Sequence, residues 1–306
     1  MSTVVEVEQL RKSYGAVEAV RDVSFSVAAG EIFGLIGPNG AGKTTTVECL
    51  LGLRRADGGC LSVLGLDPAR ETHALRRRVG CQLQESALPD RMRVWEALDL
   101  FASLAPGRSD WRALMSDWGL ADKRDAPFAA LSGGQRQRLF VALALVNDPE
   151  VVFLDEMAEG LDPAGRRTAR ELLRALRERG TTVVLVTHDM DEAEQLCDRV
   201  AVIAAGRVVA LDTVGALVGR YGRATRVRFG AAGVDLDGLE RVPHVDRVEV
   251  AGNVVAIEGT GPVLAYVAAE LVRRGTVPDD LRLERDTLED VFLSLTQPEL
   301  EPGAEA

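Results

Sequence analysis

A chain of 306 residues, 46% hydrophobic and 27% charged, has room for one large domain and a smaller one, each with its own core. Its formal net charge of -11 argues against nucleic acid as the main partner, because phosphate-backbone binders carry a basic face. No apolar run reaches the ~18 residues needed to cross a bilayer, and "MSTVVEVEQL" lacks the basic start and apolar stretch of a signal peptide, so the chain is expected to be cytoplasmic.

Near the start, "VSFSV" and "CLSVLG" alternate apolar and polar residues like half-exposed strands. "EIFGLIG" is instead a near-continuous apolar run, like a strand buried on both faces, and so are "EVVFLDE" and "TTVVLVTH". Three such runs imply a parallel sheet covered by helices. Between them, "MRVWEALDLFASLA" and "DWRALMSDWGLA" carry helical spacing, and "GRRTARELLRALRERG" reads as an amphipathic helix ending at a glycine. The basic run Arg76 to Arg78 is read as a solvated helix face. "RVAVIAAGRVVALD" predicts a hairpin, and the sequence changes character at roughly Thr213 to Arg223. Beyond it, "TRVRFG", "VDRVEVAGNVVAIEG", "PVLAYVAAELVRRG" and "LRLERDTLEDVFLSLT" predict a small α/β domain, and the tail "PELEPGAEA" reads as disordered. Cys49, Cys60, Cys81 and Cys197 are scattered without a CxxC pair, and His73, His188 and His244 do not cluster with them. Neither a disulfide framework nor a zinc site is expected.

Chemistry concentrates at the ends of the three buried runs. "GPNGAGKTT", Gly37 to Thr45, fits GxxxxGK[ST], follows an apolar strand and precedes the helical "TTTVECLLGL". Its glycines let the backbone fold around phosphates, Lys43 can reach the β and γ phosphates, and the Thr44 hydroxyl can ligate magnesium. "VVFLDE" ends a buried strand in two consecutive acids, which need a cation or hydrogen-bond partners there. Asp155 suits magnesium, and Glu156 is placed to polarise an attacking water. His188 ends the third run at the same sheet edge, where open α/β folds bind ligands. "LSGGQ", Leu131 to Gln135, sets Ser132, Gly133 and Gly134 at an expected helix start, a second place suited to an anion. Alone, His188, Gln84 in "VGCQLQES" and Tyr14 in "RKSYGAV" read equally well as structural residues.

Together these motifs resemble the nucleotide-binding subunit of ATP-binding cassette (ABC) transporters, over about Val4 to Asp212. The resemblance implies an α/β P-loop cassette at 1–212: a parallel core sheet with helices, an antiparallel β subdomain and a helical subdomain at about 85–145. A small C-terminal α/β domain follows at 213–306. It implies Mg-ATP as the cofactor. Tyr14 matches the aromatic that stacks on adenine; Gly37, Pro38, Asn39, Gly40, Ala41, Gly42, Lys43, Thr44 and Thr45 match the Walker A loop; Gln84 matches the Q-loop, which joins Thr44 and Asp155 at the metal. Ser132, Gly133, Gly134 and Gln135 match the signature, Asp155 and Glu156 the Walker B pair, Asp162 the D-loop, and His188 the switch histidine. Glu156, His188 and Gln84 are thereby implied in catalysis. The resemblance further implies a head-to-tail homodimer, in which each ATP lies between Lys43 of one subunit and Ser132 and Gly134 of its mate.

One departure stands out: where the family commonly has Pro-Thr and a small polar residue after the Walker B glutamate, this chain has Met157, Ala158 and Glu159. The ending "DTLEDVFLSLT" resembles the C-terminal extension of ABC-2 type exporter ATPases, including the daunorubicin-resistance group, and Leu288, Val291, Phe292 and Leu295 share one helix face there. The expected function is the ATP-hydrolysing motor of an exporter, peripheral on the inner face of the cell membrane. It would work with a separately encoded permease subunit that docks near Gln84 and "ESALPDRMRVWEAL", and without nucleic acid. An importer motor and a non-transport cassette ATPase of DNA repair or translation are the alternatives.

Overall fold

The computed structural model describes residues 2–84, 86–104, 110–222, 225–231, 234, 236–284 and 286–296. The tail expected to be disordered lies outside them. The chain divides into two compact units, Met1–Val214 and Gly215–Ala306.

The first unit contains strands β1 (Thr3–Tyr14), β2 (Val17–Ala28), β3 (Ile32–Ile36), β4 (Gly58–Val63), β5 (Val79–Gln82), β6 (Val151–Asp155), β7 (Thr182–Thr187), β8 (Arg199–Ala204) and β9 (Arg207–Thr213). They form one nine-stranded sheet in the order β4-β1-β2-β9-β8-β3-β7-β6-β5. From β8 to β5 neighbouring strands run parallel, whereas β4, β1 and β2 pair antiparallel. Every residue of β3, β6 and β7 is buried, which is why their sequences are apolar throughout rather than alternating. In β2 the alternation is real: Val23, Phe25 and Val27 are buried, and Phe25 stacks on Phe33 with ring centroids 5.2 Å apart. The hairpin β8–β9 turns through Ala205 and Gly206, both at positive φ, as the tightest two-residue turns require.

The α-helices among the described residues of this unit are α1 (Lys43–Leu50), α2 (Thr72–Arg76), α3 (Val94–Leu104), α4 (Trp111–Asp117), α5 (Gly133–Ala144), α6 (Pro163–Glu178) and α7 (Met190–Leu196). Val47 and Leu50 of α1 join Phe33, Leu35, Phe153, Val184 and Val186 in one apolar cluster, so the helix that starts at Lys43 is anchored to the sheet. Helices α3, α4 and α5 pack on one another, and the Trp111 indole nitrogen donates to Asp99 across α3 and α4 at 3.0 Å. Helix α6 opens on an Asp162 cap with Pro163 at its first position and stops before Gly180, φ 93°, as its sequence predicts. Arg76 to Arg78 do not form one helix face. Helix α2 ends at Arg76, and Arg78 lies beyond it, donating to Glu150 at 2.6 and 2.8 Å. Arg78 alone therefore clamps the start of β5 to the start of β6.

The second unit is a four-stranded antiparallel sheet in the order β11-β12-β10-β13, with β10 Thr225–Gly230, β11 Val245–Ala251, β12 Val254–Gly259 and β13 Arg282–Glu284. Helix α8 (Val214–Tyr221) begins at the boundary, and α9 (Val263–Arg273) and α10 (Leu288–Thr296) complete the unit. Val263, Val267 and Leu271, spaced by four, seat α9 on Val227, Phe229, Val255 and Ile257. On α10, Leu288 and Val291 are buried and Phe292 and Leu295 half-buried, so the apolar face read from sequence is the inward one.

Candidate nucleotide site

The loop Gly37–Gly42 leaves the end of β3 and enters α1 through Gly42, which caps the helix at φ 102°. A Cβ at Gly42 would lie 2.4 Å from the carbonyl oxygen of Ala19, so both the backbone angle and the close approach exclude any other residue. Lys43 is only 6% exposed. Its ammonium donates to the carbonyls of Gly37 at 2.7 Å and Pro38 at 3.0 Å, folding back over the loop. Burial lowers its pKa, opposed by the nearby Glu156 and Asp155 carboxylates.

Parallel pairing brings the ends of β3, β6 and β7 together. The Thr44 hydroxyl donates to Asp155 at 3.1 Å. Burial raises the Asp155 carboxyl to about 6, with Glu156 adding to the rise and Thr44 and Lys43 opposing it. A desolvated carboxylate beside a hydroxyl is a hard-oxygen pair that fits magnesium, an ion that takes few protein ligands when it binds with phosphates. Among the described residues no cluster of three or more His, Cys, Asp or Glu could hold a metal unaided.

Glu156 is 9% exposed and sits at φ 53°, an uncommon conformation for a residue with a side chain. Its amide donates to the carbonyl of Val186 at 2.9 Å. One carboxylate oxygen accepts from the Gln84 amide at 2.8 Å, and the other lies 3.0 Å from His188 Nδ1. The structure thus brings Gln84, Glu156 and His188 into one hydrogen-bonded group, next to Asp155 and Thr44.

The other residues singled out in the sequence stand elsewhere. Ser132 caps α5 in a capping box: its Oγ accepts from the Gln135 amide at 3.3 Å, and the Gln135 side chain accepts from the Ser132 amide at 3.0 Å. The serine hydroxyl keeps its proton free to donate. Ser132 and Gly133 are exposed. Asp162 caps α6 by accepting from the Gly165 amide at 2.7 Å. Tyr14 is 41% exposed, with Lys12 and Arg54 each within 6 Å of its ring centroid.

Two residues escaped the sequence reading. Gln82, buried on β5, donates to the backbone carbonyl of Asp155 at 2.9 Å, and Gln137 on α5 donates to the backbone carbonyl of Glu156 at 3.1 Å. A polar residue inside the apolar strand "VGCQ" was a signal for the first; for the second, the sequence holds none.

A parallel sheet that gathers a phosphate loop, paired acids, a glutamine and a histidine at one edge defines a P-loop nucleotide hydrolase. Comparison with known proteins narrows the class. The family described as ABC transporter matches residues 20–159. The Nod factor export ATP-binding protein I of Paraburkholderia xenovorans is 41% identical over 97% of this chain and 98% of its own length. The daunorubicin resistance ATP-binding protein DrrA3 of Streptomyces coeruleorubidus is 37% identical over 96% of each. Among solved structures, an ATP-binding subunit of an ABC transporter superposes with a TM-score of 0.66 at 29% identity, over 71% of this chain and 93% of its own. A dimeric bacterial ABC transporter cassette does so with a TM-score of 0.63 at 25% identity, over 68% of this chain and 98% of its own. The chain belongs to the ABC transporter family of ATP-binding proteins, whose cassette binds and hydrolyses ATP.

Proposed function

We propose that this protein is the ATP-hydrolysing motor subunit of an exporter, acting as a head-to-tail homodimer around two nucleotides and driving a separate membrane subunit. The observation that carries the dimer is Gly133. It occupies the first helical position of α5, and a Cβ there would meet nothing within 4 Å. Nor is Gly133 among the glycines at positive φ. Alanine would therefore suit the isolated chain at least as well, because glycine costs up to roughly 1 kcal/mol in a helix interior and less than that at its first position. A glycine with no use inside the chain points to a close approach from outside, and a phosphate held by a second copy is the approach that an exposed, capped helix start favours. The export reading rests on relatives that align over nearly their whole length and carry export and drug-resistance names. Among the described residues no helix is long and apolar enough to cross a membrane, so a permease subunit would hold this one at the inner membrane face.

The chemistry follows from the groups in place. Lys43 exchanges the carbonyls of Gly37 and Pro38 for phosphate oxygens. Thr44, Asp155 and the carbonyl oxygen of the Gln84 side chain would hold magnesium, which when bound neutralises charge on the phosphates. Glu156, gripped through both carboxylate oxygens by Gln84 and His188, takes the proton of the attacking water. His188 fixes the orientation of that carboxylate, and Ser132 of the mate donates its free hydroxyl proton to the γ phosphate. Tyr14 offers an exposed ring face for adenine.

The test is sedimentation of Glu156→Gln with and without Mg-ATP. The variant is expected to sediment as a monomer alone and as a dimer with nucleotide; unchanged sedimentation overturns the dimer. Capture from detergent-solubilised membranes should recover a multispanning partner that stimulates hydrolysis, and failure to recover one overturns the transport reading.

A further inference from the structure

Glu156 is held in an unfavourable backbone conformation, φ 53°, and such a residue persists only where its surroundings over-determine it. Its amide is tied to β7 through Val186. Its carbonyl accepts from the Glu159 amide at 3.1 Å within the following turn, and from the Gln137 side chain at 3.1 Å, which comes from a different element. Gln137 lies three and four residues after Gly134 and Gly133, on one face of α5. On that face Gly134 meets the other end of the same segment: a Cβ there would lie 3.3 Å from the Gly160 carbonyl oxygen and 3.4 Å from the Leu161 side chain. Helix α5 therefore touches the segment 156–161 at both ends, with a hydrogen bond at the acid and a close contact at Gly160 and Leu161.

We propose that Gln137 is a positioning residue for hydrolysis, fastening the signature helix of each chain to the backbone of that chain's own Glu156. The helix start faces the nucleotide of the mate while its second turn sets the base for its own nucleotide. Gln137 thereby relays closure at one composite site to the base of the other. This relay rests on the dimer reading; the positioning of Glu156 does not.

Two substitutions separate the bond from the fold. Gln137→Met keeps length and removes the donor, whereas Gln137→Arg restores a donor of longer reach. Gln137→Met is expected to lower kcat by about 10- to 100-fold, the loss typical of a misplaced reacting group. On the Glu156→Gln background, where turnover is too slow to deplete ATP during the measurement, Gln137→Met should change ATP affinity and ATP-driven dimerisation by less than about twofold. Gln137→Arg should recover kcat to within about threefold of wild type. The proposal is overturned if Gln137→Met keeps kcat within about threefold, if affinity falls in step with kcat, or if the arginine variant is as slow as the methionine one. Failure of Glu156→Gln itself to dimerise would instead remove the relay between sites, leaving the contrast between the two Gln137 variants to decide the positioning role.

Discussion

His188 reaches Glu156 across the gap between two neighbouring parallel strands, its Nδ1 3.0 Å from one carboxylate oxygen, while Gln84 donates to the other at 2.8 Å. The acid thus has an orientation fixed from two sides, which a general base needs before its pKa matters. Glu156→Gln should lower kcat by about 10²- to 10⁴-fold while keeping Mg-ATP affinity. His188→Ala should cost less, because Gln84 still holds one oxygen. Lys43→Ala should lose affinity itself, since it removes the charge that the proposal assigns to the phosphates. Steady-state hydrolysis and equilibrium ATP binding on the three variants separate these effects; near-normal turnover in Glu156→Gln would sink the assignment.

Gly133→Ala makes stability and activity move in opposite directions. The added methyl meets nothing within 4 Å and lowers the entropy of the unfolded chain, so the melting temperature should hold or rise, by the equivalent of roughly 0.4–1 kcal/mol. If the dimer is head-to-tail, hydrolysis should fall, because the methyl would intrude where the mate's phosphate approaches. A variant with lower stability and full activity would show that the glycine serves the fold alone.

The fold was legible where physics leaves few options. A run buried on both faces has to be apolar throughout, so β3, β6 and β7 announced a parallel sheet; a loop wrapping phosphate has to be glycine-rich, so Gly37 to Thr45 stood out. Asp155 and Glu156 were conspicuous because two acids ending an apolar strand need partners. What stayed hidden were contacts made across long sequence separations. Gln82 meets the backbone of Asp155 from 73 residues away and Gln137 that of Glu156 from 19, and a backbone carbonyl selects no residue type at its own position. Arg78 failed for a related reason: three arginines look like a solvated face until one sees Glu150, 72 residues on, waiting for the last of them.

The two units have separate apolar clusters, one drawn from residues between Val5 and Ile203, the other from Val227 to Leu271. A chain ending at Val214 should therefore unfold cooperatively and bind ATP, since each residue assigned to the nucleotide precedes that point. Calorimetry and equilibrium binding test this. An insoluble or ATP-blind product would mean that the first unit does not fold independently.

Cys49 and Cys197 are buried, Cys60 exposed. Burial raises the Cys49 thiol from near 9 to about 11 and pushes Cys197 up as well. The folded state thus binds these protons more tightly than the unfolded one. The stability they contribute is complete below pH 9 and is lost as pH rises toward and through 11, at about 1.4 kcal/mol per pH unit for each thiol that must ionise on unfolding. Urea midpoints should fall across that window, and less steeply in Cys49→Ala, although that variant starts lower because of its cavity. At neutral pH a thiol reagent should label the exposed Cys60 and Cys81 in the folded protein and leave Cys49 and Cys197 untouched. Rapid labelling of Cys49 would show that α1 opens readily.

Ser132 and Lys43 serve the same nucleotide from different chains if the dimer is head-to-tail, and a mixture of two dead variants tests this. Lys43→Ala and Ser132→Arg should each be inactive alone, because each homodimer has both composite sites broken. A heterodimer gathers both lesions into one site and leaves the other wild type. Random pairing makes half of the dimers heterodimers, so the mixture should recover up to roughly a quarter of wild-type hydrolysis, the full quarter where sites act independently and less where closure at one site helps to set the base of the other. If Ser132 served the nucleotide of its own chain, each site in the mixture would keep one lesion and no activity would return. The assay is hydrolysis by the two variants before and after co-expression. Should no activity return, cysteines placed at 39, in the loop beside an intact Lys43, and at 132 of different chains distinguish the causes. ATP-dependent crosslinking between chains would keep the shared site and show that one site alone does not turn over, whereas no crosslink would discard the shared site.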